Sequence, residues 1–293
     1  LAKSTIQLIN FKTILEAQTE NSLNVKFYKP EASLQWLVTQ FESIRSNDSN
    51  QILTDKFIPR PDAALVFHFI NTPTIITPVE AKLKDYFVAP VVAHPTQMDM
   101  QGALDGFIVV CKASVLSKIF SLDMQEKSQL CIDLPEEIFT PLWGKLKFLS
   151  TDEERINCFT NFIQTIIREP YKPDFIDLIY DNIVSNATAF SLEKIRYSDL
   201  HSISSMQRKF NTRVGVSMKK LMRIARVNFI FNAMQNLPDF DTQKLMINGN
   251  YYDQAHFIKD FKELTDETPK QFFKNNSELC RIISGIFKAE MPI

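Results

Sequence analysis

Cysteine is scarce in this chain: four residues in 293, namely Cys111, Cys131, Cys158 and Cys280, with no Cys-x-x-Cys pair. That spacing excludes a zinc knuckle and a dense disulfide frame, and buried free thiols are expected instead. Long apolar runs are also lacking. No stretch of about 18 uncharged apolar residues occurs, and the opening LAKSTIQLINFKTILEAQTE interrupts its apolar positions with charged and polar groups. Neither a spanning helix nor a secretory leader fits, so a cytoplasmic protein with no membrane partner is expected. A glycine-rich phosphate loop, a nucleophile beside a base and a metal-ligating cluster are missing too, which points away from an enzyme and from any bound cofactor or metal. His68 and His94 flank Glu80, as a metal-dependent barrel enzyme would require, but the His-x-His pair of such sites is absent. His68 lies inside an apolar segment and reads as a satisfied structural histidine.

What is present divides the chain in two. Length favours two domains, and 45% hydrophobic residues suffice for packed cores. The net charge of -1 hides an asymmetry: residues 186–293 carry 16 Lys+Arg against 11 Asp+Glu, leaving the first 185 with 17 against 23. Nine basic residues (Lys194, Arg196, Arg208, Lys209, Arg213, Lys219, Lys220, Arg223 and Arg226) crowd between 190 and 226, facing only Glu193 and Asp199. A basic half joined to an acidic half suits a polyanion partner, although a basic run is also what a solvated helix face looks like.

The first half predicts strands at 63–70, 86–94 and 104–111, which are β-branched, aromatic and punctuated by prolines. Short strands broken by turns suggest a small barrel or curved sheet. From Ser114 the pattern turns helical. Thr151 and Glu154 form a capping box ahead of Ile156, Phe159 and Ile163. Segment 168–173, REPYKP, interrupts that helix and marks a candidate hinge. The expected fold class is α+β: residues 1–170 form a strand-rich, barrel-like domain with flanking helices, and residues 174–293 an all-α domain.

Within the helical half one arrangement occurs twice: a short helix, a tight turn, a second helix with an apolar stripe, then a Ser or Thr leading into the next helix. Asp174, Ser191, Ser217 and Thr268 before Pro269 supply the N-caps. Such pairs are helix-turn-helix units, here joined by a long helix, in which the second helix of each buries one face and frees the other for the major groove. In the first copy the buried stripe is Ile203, Met206, Phe210 and Val214; Ser204, Ser205, Arg208 and Thr212 point outward, flanked by Gln207 and Lys209. In the second copy Phe257, Ile258, Phe261 and Leu264 are buried, while Ala255, His256, Lys259 and Lys262 project and Gln254 stands at the helix start. Arg with guanine and Gln with adenine are favoured base contacts. Lys219, Lys220 and Arg223 are candidate phosphate clamps.

These residues resemble the AraC family of bacterial transcription regulators. Ser202, Met206, Arg208, Phe210, Gly215 and Ser217 match its first recognition helix and the Gly-x-Ser that follows, and Arg226 its linker arginine. The second unit matches at Tyr251, Asp253, Gln254, His256, Phe257, Phe261, Lys262, Thr268 and Pro269. The resemblance spans about residues 188–274. Departures are Arg196 and Met246 for small residues, Leu200, Asn250 and Asp266 for glycines and Met218 for a proline; they bear chiefly on the first unit, which is left either reading bases or gripping phosphates. What the resemblance implies is a DNA-binding transcription factor that meets double-stranded DNA through Ser202, Ser204, Ser205, Gln207, Arg208, Lys209, Thr212, Asp253, Gln254, Ala255, His256 and Lys259. A weaker likeness of 29–41, 59–69 and 106–120 to the sensing domains of a subgroup implies a small-molecule effector or a homodimer, and an activator would also meet RNA polymerase. The alternative is a ligand-binding or interaction protein whose helical half has lost specific readout.

Overall fold

A computed structural model of the chain describes residues 15–18, 23–78, 80–125, 130–189, 203–234, 246–247 and 249–275. Its first part holds two antiparallel sheets. The larger has the order β1 (Leu15–Gln18), β2 (Asn24–Tyr28), β3 (Val38–Ser46), β10 (Leu104–Cys111), β5 (Ala63–His68), β8 (Tyr86–Ala89). The smaller runs β4 (Ile52–Phe57), β9 (Thr96–Gln101), β6 (Thr74–Thr77), β7 (Ala81–Lys82). They are separate sheets enclosing a cavity, rather than one hydrogen-bonded barrel.

Strand alternation explains how one sheet serves two interiors. On β5, Ala63, Leu65 and Phe67 join the main core while Ala64, Val66 and His68 line the cavity. On β10, Phe107, Val109 and Cys111 face the core, and Gly106, Ile108 and Val110 the cavity. The core face is aromatic: Phe41 stacks on Phe107 with centroids 5.9 Å apart, and Phe159 meets Phe41 edge-on at 6.1 Å. Each of these buried rings contributes roughly 1.5–3 kcal/mol through removal from water.

Helices cover that face. They are α1 (Ala113–Phe120), α2 (Glu136–Lys147), α3 (Asp152–Ile166) and α4 (Phe175–Ser185), followed by α5 (Ile203–Val214), α6 (Met218–Met234), α7 (Gln254–Thr265) and α8 (Pro269–Asn275). Their starts are set by caps. Thr151 and Glu154 make the reciprocal box, Asp174 and Asp177 make another, and Asp253 Oδ1 accepts from His256 N at 2.7 Å. Thr268 and Gln271 close α8 in the same way. Arg155 at the start of α3 is buried and grips Asp105 with two bonds of 2.6 and 2.7 Å, its guanidinium 4.2 Å from the Phe69 ring centre.

The core is continuous from Leu34 in the strand half to Phe272 in α8. Segment 168–173 is tied into it: Tyr171 stacks on Trp36 at 4.8 Å and donates its hydroxyl to Asp177 at 2.6 Å. Cys111 is buried, whereas Cys131 and Cys158 are half-buried free thiols, less enclosed than expected; Cys280 lies outside the described residues. No helix of the described residues is long and apolar enough to cross a membrane.

Candidate nucleic-acid interface and cavity

Helix α5 buries Met206, Phe210 and Val214 and leaves Ser204, Gln207, Arg208 and Lys209 exposed. Ser205 and Thr212 are half-buried. Ser202 and His201 lie outside the described residues, as do the first helix of this unit and its Arg196 and Leu200. The exposed side chains follow from helical period alone, because polar residues occupy the arc opposite the apolar stripe.

The far end of α5 is bound to the strand half. Arg213 Nε donates to Ser114 O at 2.7 Å and to Ser117 Oγ at 3.0 Å; its terminal nitrogens reach Asp174 at 2.9 Å and Asp177 at 2.7 Å. Asp177, 1% exposed, also accepts from Ser114 Oγ at 2.8 Å. Burial pushes the Asp174 carboxyl upward, but the Arg213 guanidinium outweighs it and holds that group below the usual range. Thr212 O accepts from Met124 N at 2.8 Å. Gly215 has φ +90°, and a Cβ there would stand 2.7 Å from Met124 O; the glycine is required both by its left-handed backbone and by the close approach of residue 124.

Helix α7 buries Phe257, Phe261 and Leu264 and exposes Gln254, Ala255, His256, Lys259 and Lys262. Asp253 is exposed, its carboxylate engaged as the N-cap. Asn250 and Asp266, which stand where the family pattern has glycines, adopt φ of 53° and 63°. The buried face of α7 carries Asp260, which meets Arg223 of α6 at 2.7 Å, while Lys220 and Arg223 reach Glu263 at 2.8 and 2.9 Å. Those bonds, from Arg223 first and then Lys220, hold Glu263 down at about 2.

The basic cluster is therefore divided. Lys220 and Arg223, read as phosphate clamps, are ion-paired within the chain, so that reading is corrected; Arg213 is committed to Asp174 and Asp177, and Arg226 lies 5.1 Å from the Tyr251 ring centre. Arg208 and Lys219 are exposed, and Lys194 and Arg196 lie outside the described residues. Sequence reasoning missed the Arg213 anchor. Its only local signal is a position one turn after Phe210, beside the buried stripe.

Between the sheets lies a cavity of about 180 Å³. Its walls are mainly apolar, with Ile44, Phe87, Met98 and Ile108 prominent. Glu42 (2% exposed) pairs there with Arg60 at 2.7 Å, and burial raises the Asp62 carboxyl. His68 was expected to be satisfied; instead its Nε2 is buried without a hydrogen-bond partner, and so is Thr96 Oγ1. Burial pushes the His68 imidazole down to about 4, leaving it neutral at physiological pH. His94 and Glu80 are exposed, and among the described residues no group of three or more His, Cys, Asp or Glu side chains is placed to hold a metal.

The end of β4 and the segment joining it to β5, residues 56–62, touch both regions. Lys56 Nζ donates to Thr265 O at 3.0 Å and pairs with Glu267 at 3.4 Å, Pro59 O accepts from Asn228 Nδ2 at 2.9 Å, and Pro61 O accepts from the Tyr180 hydroxyl at 3.0 Å. Phe57, Ile58, Arg60 and Asp62 from the same stretch line the cavity. One short segment thus connects the cavity wall to α4, α6 and α7.

No protein-family model matches the chain, and no curated protein matches it. Among solved structures, ToxT from Vibrio cholerae is similar at a TM-score of 0.42 and 12% identity, over 80% of this chain and 97% of that one. An unsaturated fatty acid-bound form of ToxT gives 0.42 and 12%, over 87% and 96%. Oxalate decarboxylase from Bacillus subtilis gives 0.27 and 12%, over 50% and 38%.

Proposed function

We propose that the chain is a sequence-specific DNA-binding transcription regulator of AraC type, with the α5 and α7 faces entering successive major grooves and the strand half acting as the sensing domain. The observation that carries this reading is the pair of exposed polar helix faces, Ser204, Gln207 and Arg208 on α5 and Gln254, His256 and Lys259 on α7, each backed by a buried apolar stripe. Polar residues of these types on a helix supported from behind are what major-groove readout requires. Effector control runs through the 56–62 segment. A molecule filling the cavity shifts the wall formed by Phe57, Ile58 and Arg60, and with it the neighbouring contacts to α6 and α7.

The test is binding of the full chain to DNA selected from a genomic library, across several salt concentrations. Arg208→Ala and Lys259→Ala should each weaken the selected site by about 1–3 kcal/mol if they contact bases. Equal affinity of both variants and the parent at every salt concentration would refute the assignment of these faces.

A further inference from the structure

We propose that the cavity between the two sheets binds a small uncharged, largely apolar molecule bearing hydroxyl or carbonyl oxygens, held by Thr96 and His68 and not through a carboxylate. The proposal rests on the reading of the strand half as a sensing domain. Two atoms point to it. Thr96 Oγ1 and His68 Nε2 are buried, lack a partner and belong to residues lining the same cavity; Thr96 is 3% exposed. Buried polar groups in native folds are almost always bonded, so two orphans in one cavity call for a partner.

The charges define what that partner is not. Arg60 is engaged by Glu42, and Asp62 stands on the same wall. An entering carboxylate would meet two acidic groups and one committed cation in an apolar enclosure, where desolvation of an unpaired charge is prohibitive. A neutral imidazole offers one donor and one acceptor, and the Thr96 hydroxyl can do either, which matches a hydroxyl or carbonyl oxygen.

Topology sets the shape. His68 ends β5 beside the 69–73 turn, where Asn71 Nδ2 bonds Ala103 O just past the end of β9; Thr96 begins β9, paired with Phe57. The two polar atoms therefore sit toward opposite ends of the cavity. Its volume of about 180 Å³ exceeds the roughly 150 Å³ of an apolar cavity that takes up benzene. An elongated chain with an oxygen at each end fits best.

The experiment is calorimetric titration of the full chain, without DNA, with octanol, the corresponding terminal diol, and octanoate. The diol and octanol are expected to bind, with octanoate at least tenfold weaker. Thr96→Val, which removes the hydroxyl and keeps the shape, and His68→Leu should each raise the diol's Kd about five- to tenfold, the worth of one hydrogen bond. Octanoate binding as tightly as octanol, an unchanged diol Kd in both variants, or no binding of any probe would each overturn the proposal. The same ligands added to a DNA titration separate the two readings: probe binding that leaves DNA affinity unmoved supports the site and contradicts the sensing role.

Discussion

Helices α5 and α7 present similar exposed faces, yet they are anchored by opposite means. The end of α5 is bound across the molecule, with Arg213 gripping Ser114, Asp174 and Asp177 and the Met124 backbone set against Thr212 and Gly215. Helix α7 is bound to its own neighbour, with Asp260 and Glu263 clamped by Arg223 and Lys220 of α6. It reaches the strand half through Lys56, which contacts Thr265 and Glu267. Each unit therefore answers to a different part of the molecule: α5 is fixed directly to α1 and α4, while α7 is fixed to the connecting helix α6.

The largest effect is expected at Arg213. Removing its guanidinium leaves Asp177 buried without its main cation, and loss of one partner from a buried pair costs about 3–5 kcal/mol. Arg213→Ala should lower the urea midpoint and raise hydrogen exchange in α5 and the start of α4, leaving α7 protected. Arg223→Ala is the mirror test. Asp260, 2% exposed, loses its arginine and keeps the Tyr251 hydroxyl, and α7 should be destabilised by about 2 kcal/mol with α5 unchanged. Equal exchange at both helices in either variant would erase the contrast.

Lys56→Ala is expected to cost only about 0.5–1 kcal/mol, since its pair with Glu267 is partly solvated. Acidification gives the gentlest probe. Glu263 lies below its unfolded value of 4.5, at about 2, so the α6–α7 clamp is complete above about pH 4.5 and is lost as pH falls from there toward 2. Protection of the α7 amides, taken relative to their intrinsic exchange rates at each pH, should fall across this range in the parent, and Glu263→Gln should flatten that fall.

The helical half was legible because its boundaries are written locally. Asp174, Ser217 and Thr268 each sit beside the amides they cap, and the stripe through Met206, Phe210 and Val214 has a single period; Ser191 lies outside the described residues, and the Asp253 cap was not foreseen. The strand half was legible only in its apolar segments. VTQFESIRS of β3 and TQMDMQ of β9 carry charges that look unsuited to a buried sheet, and the partners of Arg45 in β3, Asp105 and Asp152, lie far along the chain. The Arg213 anchor stayed hidden for the same reason, since Ser114 is 99 residues away. The cavity's unbonded Thr96 and His68 could not be read from sequence, because satisfaction of a polar atom is a property of the packed surroundings and not of the residue.

The most direct test of the central claim is a footprint of the full chain on selected DNA. Two protected major-groove segments on one side of the duplex, about one helical turn apart, with the first weakened by Arg208→Ala and the second by Lys259→Ala, is the predicted result. Uniform protection without register, unchanged by either substitution, would contradict it.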